Sequence, residues 1–172
     1  MRITNSQLAS VLSLAIFASV DDVAPVIKHL SLQQHDGKLR VMVTDRYCAV
    51  VADYVLSRED LATAAPVYLP FKTAKSFLPM VKKLSGHGVA TIAGDRIDLE
   101  DGTTIPLVSE EFRYPPVDRL FDKEFGEKAA EQMSLNPGFI GKLSQVIMSD
   151  KGKPDKNLPW TFKFRESSTG KP

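Results

Sequence analysis

The sequence predicts an α+β fold built from repeated βαβββ units, with helices on one face of antiparallel sheets. Three observations carry that prediction. Segments of similar pattern recur with a period of 66 residues. Inside each, apolar spacing switches from two to three and four. Short alternating runs are separated by Asp-Gly or Gly-Asp turns.

The copies are "MRITNSQLASVLSLA" from Met1, "VYLPFKTAKSFLPMV" from Val67 and "MSLNPGFIGKLSQVI" from Met133. Without a gap, apolar residues coincide at Ile3/Leu69/Leu135, Leu8/Ala74/Ile140, Val11/Phe77/Leu143, Leu14/Met80/Val146 and Ala15/Val81/Ile147. Each copy reads as a short strand, a polar or Pro-containing break, and an amphipathic helix. Pro79, inside the second helix, is expected to bend it or to mark an irregular turn.

A β-meander follows each of the first two helices. After the first come a strand over Ile27–Gln34, a turn at His35-Asp36-Gly37, and a strand in which Leu39, Val41 and Val43 alternate. A further strand runs from Cys48 to Leu56; both it and Leu39–Val43 are heavily apolar and so expected to be largely buried. After the second helix, "GVATIAGDRIDLEDGTTIPLV" holds three short strands, turning at Gly94-Asp95 and Asp101-Gly102.

This organisation predicts one complete two-unit domain over residues 1–122, a polar linker over 123–130, and part of a second domain over 131–172. The third copy continues through a polar loop, "SDKGKPDKN", and one alternating strand, "LPWTFKFRE", and is about 26 residues short of a full unit. Whether the natural protein stops there or this is a shortened form stays open.

Composition narrows the function. With 43% hydrophobic and 25% charged residues the chain has the make-up of a soluble globular protein. A formal net charge of +1 argues against finding nucleic acid through bulk charge, leaving local clusters. One cysteine makes no internal disulfide. The N-terminal apolar stretch is interrupted by Asn5, Ser6, Gln7, Ser10 and Ser13, which reads as a cytoplasmic start rather than a targeting or membrane segment.

Two residue clusters invite a functional reading. Thr44-Asp45-Arg46-Tyr47-Cys48 sets a hydroxyl, a carboxylate, a guanidinium, a phenol and a thiol between two apolar runs. Thr44 and Asp45 favour a turn, and a nucleophilic Cys48 would need a base and an orienting group that no spacing supplies. Cys48 is therefore expected to be a buried structural residue. The second cluster is basic: from Val67 to Gly94 there are Lys72, Lys75, Lys82 and Lys83 and no Asp or Glu. With Ala74, Phe77, Leu78, Val81 and Leu84 turned inward, those lysines fall on the outer side of the helix. Such a stripe suits phosphates by counter-ion release, without reading sequence. The third helix adds Lys142, whereas the first helix holds no basic residue. His29 and His35 with Asp21 and Asp22 match no ligand spacing, and neither a phosphate-binding glycine loop nor a nucleophile elbow occurs. No metal, cofactor or catalytic residue is expected.

Residue by residue, the chain resembles bacterial DNA polymerase III beta subunits, the sliding DNA clamps. "LRVMVTDRYCAVVADYVL" is similar to the clamp strand-turn-strand with T-D-G-x-R-L-A at its centre. "PVYLPFKTAKSFLPMVKKL" resembles the strand that ends in Pro before a domain's second helix. "EEFRYPPVDRLF" is similar to G-x-F-P-D-Y-R-R-V-L, and "MSLNPGFIGKLSQVI" resembles the helix of the last clamp domain. The order is right and covers most of the chain. The resemblance implies a DNA-clamp fold and a non-enzymatic, homo-oligomeric processivity factor. Such a factor encircles duplex DNA and tethers DNA polymerase and other clamp-motif proteins, with a clamp loader among its partners.

In that family a short apolar peptide enters a pocket between two domains. The positions implied here are Ile27, placed on the strand after the first helix, Thr44, Arg46, Tyr47 and Ala49 at the turn, and Pro115, Arg119 and Leu120. The DNA-facing positions implied are Lys72, Lys75, Lys82, Lys83 and Lys142. The family's Gly after Thr-Asp is Arg46 here, its Arg is Cys48 and its Leu is Ala49. The family's C-terminal tail, which lines the same pocket, has no match. A clamp-fold interaction module that binds a clamp-motif peptide or another clamp without encircling DNA is the rival reading, and a small hydrolase using Cys48 or Asp45 a third.

Overall fold

The computed structural model describes residues 1–22, 24–56, 65–109, 113–120 and 137–146. The linker, the strand opening the third copy, and the loop and strand after its helix lie outside the described residues.

The elements follow the repeat closely. Strand β1 (Arg2–Thr4) leads into helix α1 (Asn5–Ser13), and β5 (Val67–Pro70) leads into α2 (Phe71–Val81). Between them lie β2 (His29–His35), β3 (Lys38–Thr44) and β4 (Ala49–Val55); after α2 come β6 (Val89–Ala93), β7 (Arg96–Leu99) and β8 (Thr104–Pro106). Helix α3 covers Pro137–Leu143. The predicted hairpin joins β2 to β3 through Asp36 (φ 48°) and Gly37 (φ 71°), both in the left-handed region that a two-residue hairpin turn requires. Thr4 starts α1 with a capping box: its hydroxyl accepts from Gln7 N (3.1 Å), while Gln7 Oε1 accepts from Thr4 N (2.8 Å).

The two βαβββ units exchange their first strands. One antiparallel sheet has the order β1-β6-β7-β8 and the other β4-β3-β2-β5. Ile3 therefore faces Ala90 of the second meander, and Leu69 faces Leu30 of the first. Each unit completes the other's sheet, and both helices contribute with the strands to a single apolar core. Leu8, Val11 and Leu12 of α1 are fully buried there, beside Leu30, Leu32, Leu39, Val41, Val43, Leu69, Ile97 and Ile105 from the strands.

Helix α1 is buried almost all round; only Gln7 is half-buried among its residues. Asn5 Nδ2 donates to Ser85 O (3.0 Å), Ser10 Oγ lies 2.9 Å from Tyr54 Oη, and Ser13 Oγ donates back to Ser10 O (2.6 Å). The helix's lack of basic residues follows, because a helix without a solvent face has nowhere to put them.

Three expectations are corrected. Ile27 lies not on a strand but in a 3₁₀ turn, Pro25–Lys28, and β2 begins only at His29. Pro25 at the first position of that turn has its φ fixed and no N–H to give a ladder. Strand β4 is not largely buried: most of it is half-exposed, with Asp53 and Val55 exposed, because it is the edge of its sheet and packs on one face. Cys48 is half-buried rather than buried.

Pro79 stays within α2, which runs on to Val81, so the missing donor falls in the last helical turn.

Candidate peptide rim and basic face

The turn between β3 and β4 is organised by its own side chains. Thr44 Oγ1 donates to Cys48 O (2.7 Å) and accepts from Arg46 N (3.1 Å). Asp45 Oδ1 accepts from Tyr47 N (3.1 Å), Cys48 N (2.9 Å) and the Cys48 thiol (3.2 Å). These bonds hold Arg46 at φ 80°, a conformation that costs an L-residue roughly 1–2 kcal/mol and glycine almost nothing. The backbone of this turn is one suited to glycine, built here around arginine. Tyr47 projects into solvent, 84% exposed.

Burial pushes the Cys48 thiol up to about 12, and the adjoining Asp45 carboxylate adds to the rise. It is a protonated donor to Asp45 and a poor nucleophile at neutral pH. For Asp45, partial burial opposes ionisation. The Lys142 ammonium, the thiol of Cys48 and the N–H groups of Cys48 and Tyr47 outweigh it and hold the carboxyl below its ordinary value.

The predicted rim residues are only partly brought together. Arg46 and Tyr47 line a cleft of about 410 Å³ with the 16–21 segment, Asp45, Lys75 and Lys142. Ile27 and Thr44 are 3% and 6% exposed, so neither presents surface. Ala49 is half-buried beside them. Pro115 is half-buried and Arg119 exposed, on a strap whose 3₁₀ turn, Val117–Leu120, packs against β3 and β4. The side chain of Leu120 lies outside the described residues.

Tyr114 anchors that strap. Its hydroxyl lies 3.1 Å from His29 O and 3.2 Å from Met42 O, and its ring stacks on Tyr68 at 6.0 Å between centroids. Sequence reasoning passed over Tyr114 as a site residue; an aromatic immediately before Pro115-Pro116 was the signal. Met42, 4% exposed, is likewise buried on the sheet face opposite the core-facing Val41 and Val43.

The basic face lies on α2 and its end. Lys72, Lys75, Lys82 and Lys83 are all exposed, within roughly a 100° arc at 3.6 residues per turn. Ala74 and Val81 are buried on the opposite side, with Phe77, Leu78 and Leu84 packed against the core. Lys75 Nζ lies 5.3 Å from the centroid of the Phe71 ring. Lys142 shares a cleft with Lys75 but is half-buried, and its Nζ donates to Asp45 Oδ2 at 2.9 Å. Of the residues once considered as metal ligands, His29 Nδ1 lies 3.1 Å from Pro25 O, and Asp21 pairs with Arg46 at 3.2 Å. Among the described residues, no helix is long and apolar enough to cross a membrane.

Paired four-stranded sheets with exchanged first strands and two helices packed in their common core define this as a DNA-clamp fold. The particular likeness is to bacterial sliding clamps of the DNA polymerase III beta type, as the sequence motifs indicated. A curated relative, the "Beta sliding clamp homolog GriR" of Streptomyces muensis, is 26% identical over 145 residues, covering 80% of this chain and 38% of the relative. A putative DNA polymerase III beta subunit from Eubacterium rectale superposes with a TM-score of 0.58 at 17% identity, over 73% of this chain and 34% of that one. The beta subunit of Borrelia burgdorferi, solved with a natural product, gives 0.57 at 16% identity, over 73% and 33%. That of Pseudomonas aeruginosa gives 0.57 at 18%, over 72% and 34%. No family model matches the chain. The chain spans a little over a third of the length of the curated relative, and about a third of these solved chains.

Proposed function

We propose that this protein is a sliding-clamp-like processivity factor, non-catalytic and cytoplasmic. It contacts duplex DNA through its basic face and tethers replication partners through the rim around Arg46 and Tyr47. The observation that carries the reading is Lys72, Lys75, Lys82 and Lys83 exposed together on one face of a clamp fold, with no carboxylate between Val67 and Gly94. Four exposed ammonium groups on a helix and its C-terminal end suit sequence-independent phosphate contact. Because α1 is buried, its missing charge does not count against that role. Residues 1–122 act as one domain in this reading and 131–172 begin a second, so encircling a duplex requires several copies. DNA polymerase, other clamp-motif proteins and a clamp loader are the partners that fit.

At the rim, Arg46 and Tyr47, with Ala49 and the buried Thr44 next to them in chain, would offer one wall of the peptide seat, and the strap that carries Pro115 and Arg119 the other. Burying two or three apolar anchors at about 1.5–3 kcal/mol each, against association costs, leaves weak and exchangeable binding. That suits a tether shared among partners.

Duplex retention against salt tests the reading, with molar mass in solution measured alongside. A defined oligomer should hold DNA, and Lys75→Glu with Lys82→Glu should weaken retention and flatten the salt dependence by about 1 per lysine. A monomer whose DNA binding neither depends on salt nor responds to these charges would sink it.

A further inference from the structure

Residues 137–146 fold back onto the β3–β4 turn. Lys142 Nζ reaches Asp45 Oδ2 at 2.9 Å across 97 residues of chain. The same ammonium lies 5.8 Å from the Phe17 ring centroid and 5.5 Å from that of Phe139. Val146 is 7% exposed and belongs to the main core, with Leu143 packed against it. Asp45 is thus held from two sides: Oδ2 takes the cation from α3, while Oδ1 takes the amides of Tyr47 and Cys48 that shape the turn.

We propose that Asp45 and Lys142 form a positioning pair that couples the docking of residues 137–146 to the shape of the Arg46–Tyr47 rim. The inference rests on reading that rim as a partner seat. Its physical basis is that Arg46 sits in a backbone conformation it does not favour, so the turn keeps its shape only while side-chain bonds hold it. A carboxylate gripped at both oxygens has one rotamer. Released at Oδ2 it can rotate, and the Tyr47 and Cys48 amides then lose their acceptor. Exposed ion pairs usually do little. Here the side chains are 14% and 30% exposed, and the cation is flanked by two aromatic rings. By reciprocity, a partner that prefers the ordered rim also tightens the docking of α3.

Amide hydrogen exchange on the full chain tests the pair without any partner. Lys142→Met keeps the aliphatic stem between the rings and removes the charge. Asp45→Asn keeps an acceptor at Oδ1 and weakens the grip at Oδ2, so it serves if the first variant folds poorly. Either substitution should speed exchange at Tyr47 and Cys48 by about tenfold while β6 and β7 keep their protection; Lys142→Arg should restore it. Unchanged exchange at Tyr47 and Cys48 in both variants overturns the proposal.

Titrating a Gln- and Leu/Phe-containing clamp-binding peptide against the same proteins separates the two levels. Weaker binding to Lys142→Met, with more protection of residues 137–146 in the wild type on binding, supports the coupling. If exchange responds but the peptide fails to bind wild type, the partner seat is refuted and the proposed coupling to it falls too.

Discussion

Tyr68 and Val108 exchange two backbone hydrogen bonds, each N–H meeting the other's carbonyl at 2.8 Å, and so stitch the two sheets together. Tyr68 lies in β5, which belongs by sequence to the second unit but by pairing to the first unit's sheet. With β1 lent in the opposite direction, neither unit owns a complete sheet, and the core between them is shared.

Cooperative loss should follow damage to either lent strand. Leu69, fully buried in β5, packs in the common core. Leu69→Ala is expected to cost about 2–4 kcal/mol. Protection should fall equally in β2–β3 and in β6–β7, although β5 pairs only with the former. Urea unfolding read together with residue-level hydrogen exchange checks this. Loss confined to the sheet containing β5 would mean that the units are independent.

Relief of strain is expected at Arg46. At φ 80°, glycine avoids a steric cost of roughly 1–2 kcal/mol but adds disorder to the unfolded chain. The lost ion pair with Asp21 is exposed at 3.2 Å and contributes little. Arg46→Gly should therefore stabilise the protein by about 0.5–1 kcal/mol, seen as a higher denaturation midpoint at unchanged m-value. A clear loss of stability would show that the arginine side chain supports the turn more than its backbone strains it.

Much of this was readable in the residues, and what was not has a common cause. Ile3 and Leu69 align in the repeat and are 3% and 0% exposed, because an apolar residue at the same step of strand and helix meets the same interior. Asp36-Gly37 announced its hairpin through backbone chemistry alone. Periodicity, however, reports which face of a strand is apolar and not which sheet receives it, so the strand exchange was invisible. Ile27 was assigned to a strand although Pro25 argued for a turn, and Thr4 with Gln7 carried a capping signal that was passed over. At the site, the turn residues were legible as a turn. The partner of Asp45 was not, since Lys142 lies 97 positions away and no local pattern encodes that contact.

The strap over the outer sheet face depends on one hydroxyl. Tyr114 Oη lies within reach of His29 O and Met42 O, at 3.1 and 3.2 Å, and burial raises its phenol well above the ordinary range, so it stays a neutral donor. Tyr114→Phe keeps the stacking on Tyr68 but leaves those carbonyls without that donor. It should cost about 1 kcal/mol and increase exchange at Val117 and Arg119. If the strap keeps its protection, ring stacking rather than the hydroxyl holds it.

Acid should weaken the turn through Asp45. The carboxyl is held below its unfolded value of 3.8: burial opposes ionisation, but the Lys142 ammonium, the Cys48 thiol and the N–H groups of Cys48 and Tyr47 prevail. A group whose native pKa is depressed contributes stability that is fully present above the unfolded pKa and is lost as pH falls through the native one. From neutral pH down to about 5 the contribution is constant; below about 4 the unfolded chain takes up a proton that the native turn resists. Asp45→Asn, which cannot ionise, should be less stable than wild type by about 1 kcal/mol at pH 7. The gap should narrow as pH drops below 4. Urea denaturation of both proteins between pH 7 and 3 measures it, and a gap that stays constant to pH 3 would show that the charge on Asp45 contributes nothing to holding the turn.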